Sequence, residues 1–180
     1  MGKEFTRMPI AEAPKLACQW VEKSTTVLVV GTARQDAKKY EADKEPFNYL
    51  RCLEKRMKKA KAFCYKRVTC SDPDEPLQKH INRCTALARS RGNRHEFHVK
   101  QVNAIDFFLS YQIFGTDNEE YLLMIGIDNC VGSEFHTVDN DFCLFTKDKE
   151  TIAVFIKHFQ IAWDKWCLAV DPIVSKDVTS

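Results

Sequence analysis

Two short apolar and aromatic runs between residues 106 and 127 flank Gly115-Thr116-Asp117-Asn118. Each run is too short for a helix, and a four- or five-residue turn between such runs predicts a β-hairpin. Both arms carry apolar side chains on both faces, which predicts a hairpin inside a sheet covered on both sides. Upstream, residues 9–23 show an imperfect helical stripe of Leu16, Ala17, Trp20 and Val21, with Pro9 and Pro14 limiting its start. Residues 25–30 are β-branched and end at Gly31, as a strand does. A polar loop over 32–45 precedes a helix over 46–61, where Phe47, Leu50, Leu53, Met57 and Ala60 recur at helical spacing. A strand over 62–69, a turn over 71–76, a helix over 77–90 and a strand over 96–102 follow. In that last strand Phe97, Val99 and Gln101 oppose His98, Lys100 and Val102. Beyond the hairpin come a long loop over 128–141, a short strand over 142–145 and a helix over 149–168. That helix carries a broad stripe of Ile152, Phe155, Ile156, Phe159, Trp163 and Trp166. The order α-β-α-β-α-β-β-β-β-α predicts an α/β fold with a mixed sheet and helices on both faces.

Length changes this picture little: 180 residues suit one domain, over residues 9–170. Residues 1–8 read as a disordered leader or cloning remnant, and 171–180 as a flexible tail. No apolar run is long enough to span a membrane, and the start lacks the apolar core of a secretory signal. A cytoplasmic protein is expected. The eight cysteines include no Cys-x-x-Cys pair and read as reduced, mostly buried thiols. Cys64, Cys70, His80 and Cys84 are zinc-type ligands, but their spacing matches no common finger. No metal and no cofactor is expected.

Charge is distributed unevenly. Residues 1–100 hold 22 Lys and Arg against 12 Asp and Glu, and residues 101–180 hold 5 against 13. Two basic runs are candidate anion or nucleic-acid sites: Arg51, Lys55, Lys58 and Lys59 on one helix, and Arg89, Arg91 and Arg94 around Gly92-Asn93. Such runs are more often ordinary solvated surface. In the long loop His136 stands between Glu134 and Asp139, a candidate base or ligand. Other chemistries are excluded by their missing motifs. Gly31 to Lys38 lacks the second glycine and the Gly-Lys-Ser/Thr of a P-loop, and no Gly-x-Ser-x-Gly or His-Glu-x-x-His occurs.

The strand Thr26-Val-Leu-Val-Val-Gly31, the basic-ended helix leading into residues 62–68, the Arg-rich turn before the strand at 96–102, and the hairpin, loop, strand and long helix ending Trp163-x-x-Trp166 together resemble one half-unit of the phospholipase D-like superfamily. The resemblance spans residues 12–168. It implies chemistry through H-x-K-x4-D followed by G-S/T-x-N: a histidine that attacks phosphorus, a lysine that binds phosphate oxygens, and an aspartate that orients a histidine. Two such motifs converge from two domains or two subunits. The nearest match here is His98-x-Lys100, then Asp106, then Gly115-Thr116-x-Asn118, with one residue too many between Lys100 and Asp106. A one-residue slip in a strand turns a side chain to the other face. Ending the motif strand at Gly115 instead puts Phe107 and Leu109 where the histidine and lysine belong, and neither can do that chemistry. The resemblance therefore implies a degenerate member: a non-catalytic sensor or interaction domain, a homodimer, with a ligand or protein partner. A phosphodiesterase or nuclease acting through a phosphohistidine in a dimer, and a nucleic-acid-binding module, are the alternatives.

Overall fold

A valine-rich strand and a tyrosine-containing hairpin arm lie side by side in the middle of a seven-stranded mixed sheet of order β1-β7-β6-β5-β2-β3-β4. The computed structural model describes residues 4–9, 12–31, 49–69, 75–101, 110–126 and 142–166. The strands are β1 (Thr6–Pro9), β2 (Thr26–Val30), β3 (Phe63–Thr69), β4 (His95–Gln101), β5 (Ser110–Gly115), β6 (Tyr121–Gly126) and β7 (Phe142–Thr146). The helices are α1 (Ala13–Lys23), α2 (Tyr49–Lys59), α3 (Glu75–Ser90) and α4 (Lys149–Ile161), the last continuing as a π-helical turn over Ala162–Trp166. β2, β3 and β4 are parallel, and every other pairing is antiparallel.

The two crossovers β2-α2-β3 and β3-α3-β4 advance in the same direction, so both helices fall on one face. Leu50, Leu53 and Met57 of α2, Ile81, Cys84 and Ala88 of α3, and Ala17, Trp20 and Val21 of α1 share one buried cluster. The period of two in the strands supplies the rest of it: Val27 and Val29, Phe63 and Tyr65, Phe97 and Val99, Leu122 and Met124. The intervening side chains, among them Val30, Val68, Tyr111, Ile113, Leu123 and Ile125, pack on the other face against Ile152, Phe159 and Ala162. Trp163 and Phe155 lie half-buried there. The expected fold thus stands, with the hairpin arm β5 as the middle strand of seven.

Two boundaries differ from the expectation. Thr6–Met8, expected to belong to the leader, form edge strand β1 together with Pro9, with Thr6 opposite Phe145 and Pro9 opposite Phe142. The segment is polar and ends in proline, which an edge strand tolerates and an interior strand does not. The first helix begins at Ala13 rather than residue 9, with Pro14 in its first turn. There the missing N–H is no loss. The hairpin turn starts after Gly115, closed by Thr116 N–H to Glu120 O at 3.0 Å, and its left-handed residue is Glu119 at φ 58°. Among the described residues no helix is long and apolar enough to cross a membrane.

Candidate functional site

The direction of strand addition reverses between β2 and β5: β3 and β4 add on one side of β2, while β5, β6 and β7 lie on the other. In open α/β sheets the carboxyl ends of the strands at such a reversal are where ligands bind. Here the residues at that rim are small and polar. Register pairs Gly126 with Ser110, and Gly31, just past the last paired residue of β2, lies against Ser110 and donates its N–H to Val68 O, the residue before Thr69. A Cβ built on Gly31 would stand 2.6 Å from Ser110 Oγ, so a side chain there would force the Ser110 hydroxyl to move.

One row beneath, Val29 is flanked by Gln112 on β5 and Arg67 on β3. Arg67 is only 2% exposed, a buried cation on the three-helix face. Gln112 Oε1 is buried and has no hydrogen-bond partner among the described residues. An unsatisfied buried acceptor costs about 1–3 kcal/mol. This acceptor without a partner among the described residues thus lies two strands from a buried guanidinium and beneath a row of small residues.

His98 and Lys100 lie elsewhere, on the outermost strand β4 and on the face that α4 covers. Lys100 Nζ donates to the Trp163 carbonyl at 3.1 Å and sits 4.3 Å from the Trp163 ring centroid. His98 is exposed and meets the edge of the same indole, centroids 6.4 Å apart. Among the described residues it makes no hydrogen bond and no ion pair. Lys66, opposite His98 on β3, bonds Glu96 at 3.3 Å and approaches Trp163 at 5.9 Å. Asp106 lies outside the described residues. Thr116 and Asn118 sit in the hairpin turn, at the amino ends of the parallel strands and with β2 and β3 between them and β4. The fold therefore brings His98 and Lys100 to one face and leaves the Gly-Thr-x-Asn segment apart from them.

The two basic runs do meet. Arg91 donates its guanidinium to the Lys58 carbonyl at 2.5 Å, which joins the carboxyl end of α2 to that of α3. Arg51, Lys55, Lys58, Lys59, Arg89, Arg91 and Arg94 are all exposed. Arg56, by contrast, turns inward and donates to Ser24 O at 2.8 Å. Glu134, His136 and Asp139 lie outside the described residues. So does Cys70, and Cys64 points to the α4 face, where its Sγ lies 3.7 Å from Glu96 Oε2. The sheet separates it from His80 and Cys84, which are buried against the other face.

Sequence reasoning did not single out Gly31 with Ser110, Gln112, Arg67, or Glu54 beside His80. One signal was available: Gln112 is the lone large polar residue inside an apolar strand.

No protein-family model and no curated protein sequence matches this chain. Solved structures do. Nuc from Salmonella typhimurium, a phospholipase D family member, superimposes with a TM-score of 0.52 at 12% identity, over 92% of this chain and 95% of that one. NucT from Helicobacter pylori gives 0.52 at 10% identity, over 92% and 99%. TrmBL2, an archaeal chromatin protein with a novel mode of DNA binding, gives 0.56 at 10% identity. It is matched over 93% of this chain, which spans 55% of the archaeal protein. The fold is phospholipase D-like.

Proposed function

We propose that the chain is a non-catalytic phospholipase D-like sensor or interaction module whose ligand binds at the rim between β2 and β5. The observation that carries this reading is the buried Gln112 Oε1 without a partner, beneath Gly31, Ser110 and Gly126. A small polar ligand with a hydrogen-bond donor would satisfy it. The state of the His98–Lys100 pair supports the non-catalytic half. Phosphoryl transfer through histidine needs an oriented imidazole and a cation free to hold phosphate oxygens. The Lys100 ammonium is held by Trp163, and His98 has no carboxylate partner among the described residues. Turnover of a chromogenic phosphodiester is expected to be absent, and turnover abolished by His98→Ala would overturn the proposal. For the ligand, thermal shifts are measured against a panel of polyols, amino acids and nucleosides. A hit at about 100 times its Kd adds about 2.7 kcal/mol of stability. That gain should vanish in Gln112→Leu and persist in His98→Ala.

A second reading, nucleic-acid binding, is favoured by the joining of the two basic runs through Arg91 and Lys58. The DNA-binding archaeal protein of similar fold is consistent with it. Affinity for a labelled duplex should then fall steeply with salt. Lys58→Glu and Arg91→Glu should each reduce the salt dependence. Flat or absent binding removes this reading.

A further inference from the structure

We propose that Glu54, His80 and Cys84 form a binding site for a divalent transition metal of zinc-like preference, joining α2 to α3. Their ligand atoms all lie within 4.8 Å of one another. Glu54 Oε1 is 3.0 Å from His80 Nδ1, and Cys84 Sγ is 3.5 Å from His80 Nε2 and 3.8 Å from Nδ1. Tetrahedral bonds of about 2.0–2.1 Å to nitrogen or oxygen and 2.3 Å to sulfur put neighbouring ligand atoms about 3.3–3.6 Å apart. With His80 Nδ1 as the imidazole ligand, its separations from Glu54 Oε1 and Cys84 Sγ lie within a few tenths of an ångström of these values, and small side-chain rotations would bring all three donors around an ion. His80 and Cys84 share one face of α3 at i and i+4, and both are buried. Glu54 reaches them from α2.

One carboxylate, one imidazole and one thiolate are the donor types zinc takes, and three protein ligands leave one position for water. The set differs from Cys64, Cys70, His80 and Cys84, the zinc-type ligands of the sequence whose spacing fits no common finger, because Cys64 faces the opposite side of the sheet. Burial and the Glu54 carboxylate raise the Cys84 thiol above its ordinary range. Metal uptake breaks the S–H bond, forms the S–metal bond and releases one proton to solvent. Arg83 Nε bonds Glu54 Oε1 at 3.1 Å. It occupies one carboxylate oxygen and adds a positive charge, so the site is expected to be tuned below the tightest structural zinc sites.

The test uses the full chain, freed of metal by chelation and titrated with Co2+ and Zn2+. One equivalent of Co2+ should produce a thiolate-to-cobalt charge-transfer band, with proton release detected in weak buffer. Cys84→Ala should abolish the band, and Glu54→Gln and His80→Gln should lower affinity by more than the about 10–100-fold that outer-shell changes cost. Arg83→Gln should tighten binding, and Cys52→Ser should leave the band unchanged. No band in the wild type, or a band that survives Cys84→Ala, overturns the proposal. Should Cys84→Ala fail to fold by circular dichroism, Glu54→Gln decides: unchanged affinity there overturns the site equally.

Discussion

Among the described residues, three helices cover one face of the sheet, and a single helix with its π-helical turn covers the other. The three-helix face hides polar groups as well as apolar ones: Arg67, Thr69 and His80 are buried there, and so is Gln112 Oε1. The α4 face instead leaves Lys66, His98 and Lys100 at its margin, gathered around Trp163. A buried polar group must be satisfied or it costs stability, whereas an exposed one is satisfied by water. The residues that resembled a catalytic pair are thus on the face where polar side chains need no special reason. The groups whose burial demands one are on the other face.

This contrast can be tested through stability, beginning with the largest effect. Leu53→Ala, a fully buried position of α2, should cost about 2–5 kcal/mol in urea unfolding. Val154→Ala on α4, 63% exposed, should stay within about 0.5 kcal/mol. Equal effects would mean that the three-helix face does not dominate the core. Gly31→Val should cost about 1–3 kcal/mol through overpacking against Ser110, with a smaller loss in a Ser110→Ala background. Additive losses in that double mutant would remove the close approach assigned to the rim.

Alkaline pH probes the same burial. Desolvation raises the thiols of Cys64 and Cys143 from an ordinary 9.0 to about 11. Both stay protonated in the folded chain where the unfolded chain already ionises, so the unfolded state binds fewer protons. Their contribution to stability is fully present below pH 9.0 and falls as pH rises to about 11. Tm should therefore decline through that window, and decline less in Cys143→Ala. The smallest effect concerns the start of α4, where the Asp148 side chain accepts from Thr151 N–H at 2.8 Å. Asp148→Ala should cost about 1 kcal/mol, most of it recovered by Asp148→Ser.

Elements with strong periodicity were readable without coordinates. Leu50, Leu53 and Met57 define the buried side of α2, and Phe97 and Val99 that of β4. The β5–β6 hairpin followed from two apolar runs around one polar turn. Edge strand β1 was not readable, because Thr6–Pro9 has no alternation of its own. Its pairing to β7 is set by a partner more than 130 residues away in the chain, with Thr146 Oγ1 donating to Glu4 O.

Local pattern alone determined which segments form strands or helices and which side of each is apolar, because those properties follow from the 2.0 and 3.6 periods of the backbone. Pattern also located His98 and Lys100 on one face of one strand. Strand order was decided only by tertiary structure. That order placed β4 at the edge and β5 in the middle, brought Gly31 against Ser110 and Gln112 near Arg67, and set Glu54 beside His80 and Cys84. Such neighbours come from crossovers and pairing between distant segments, and no spacing along the chain records them.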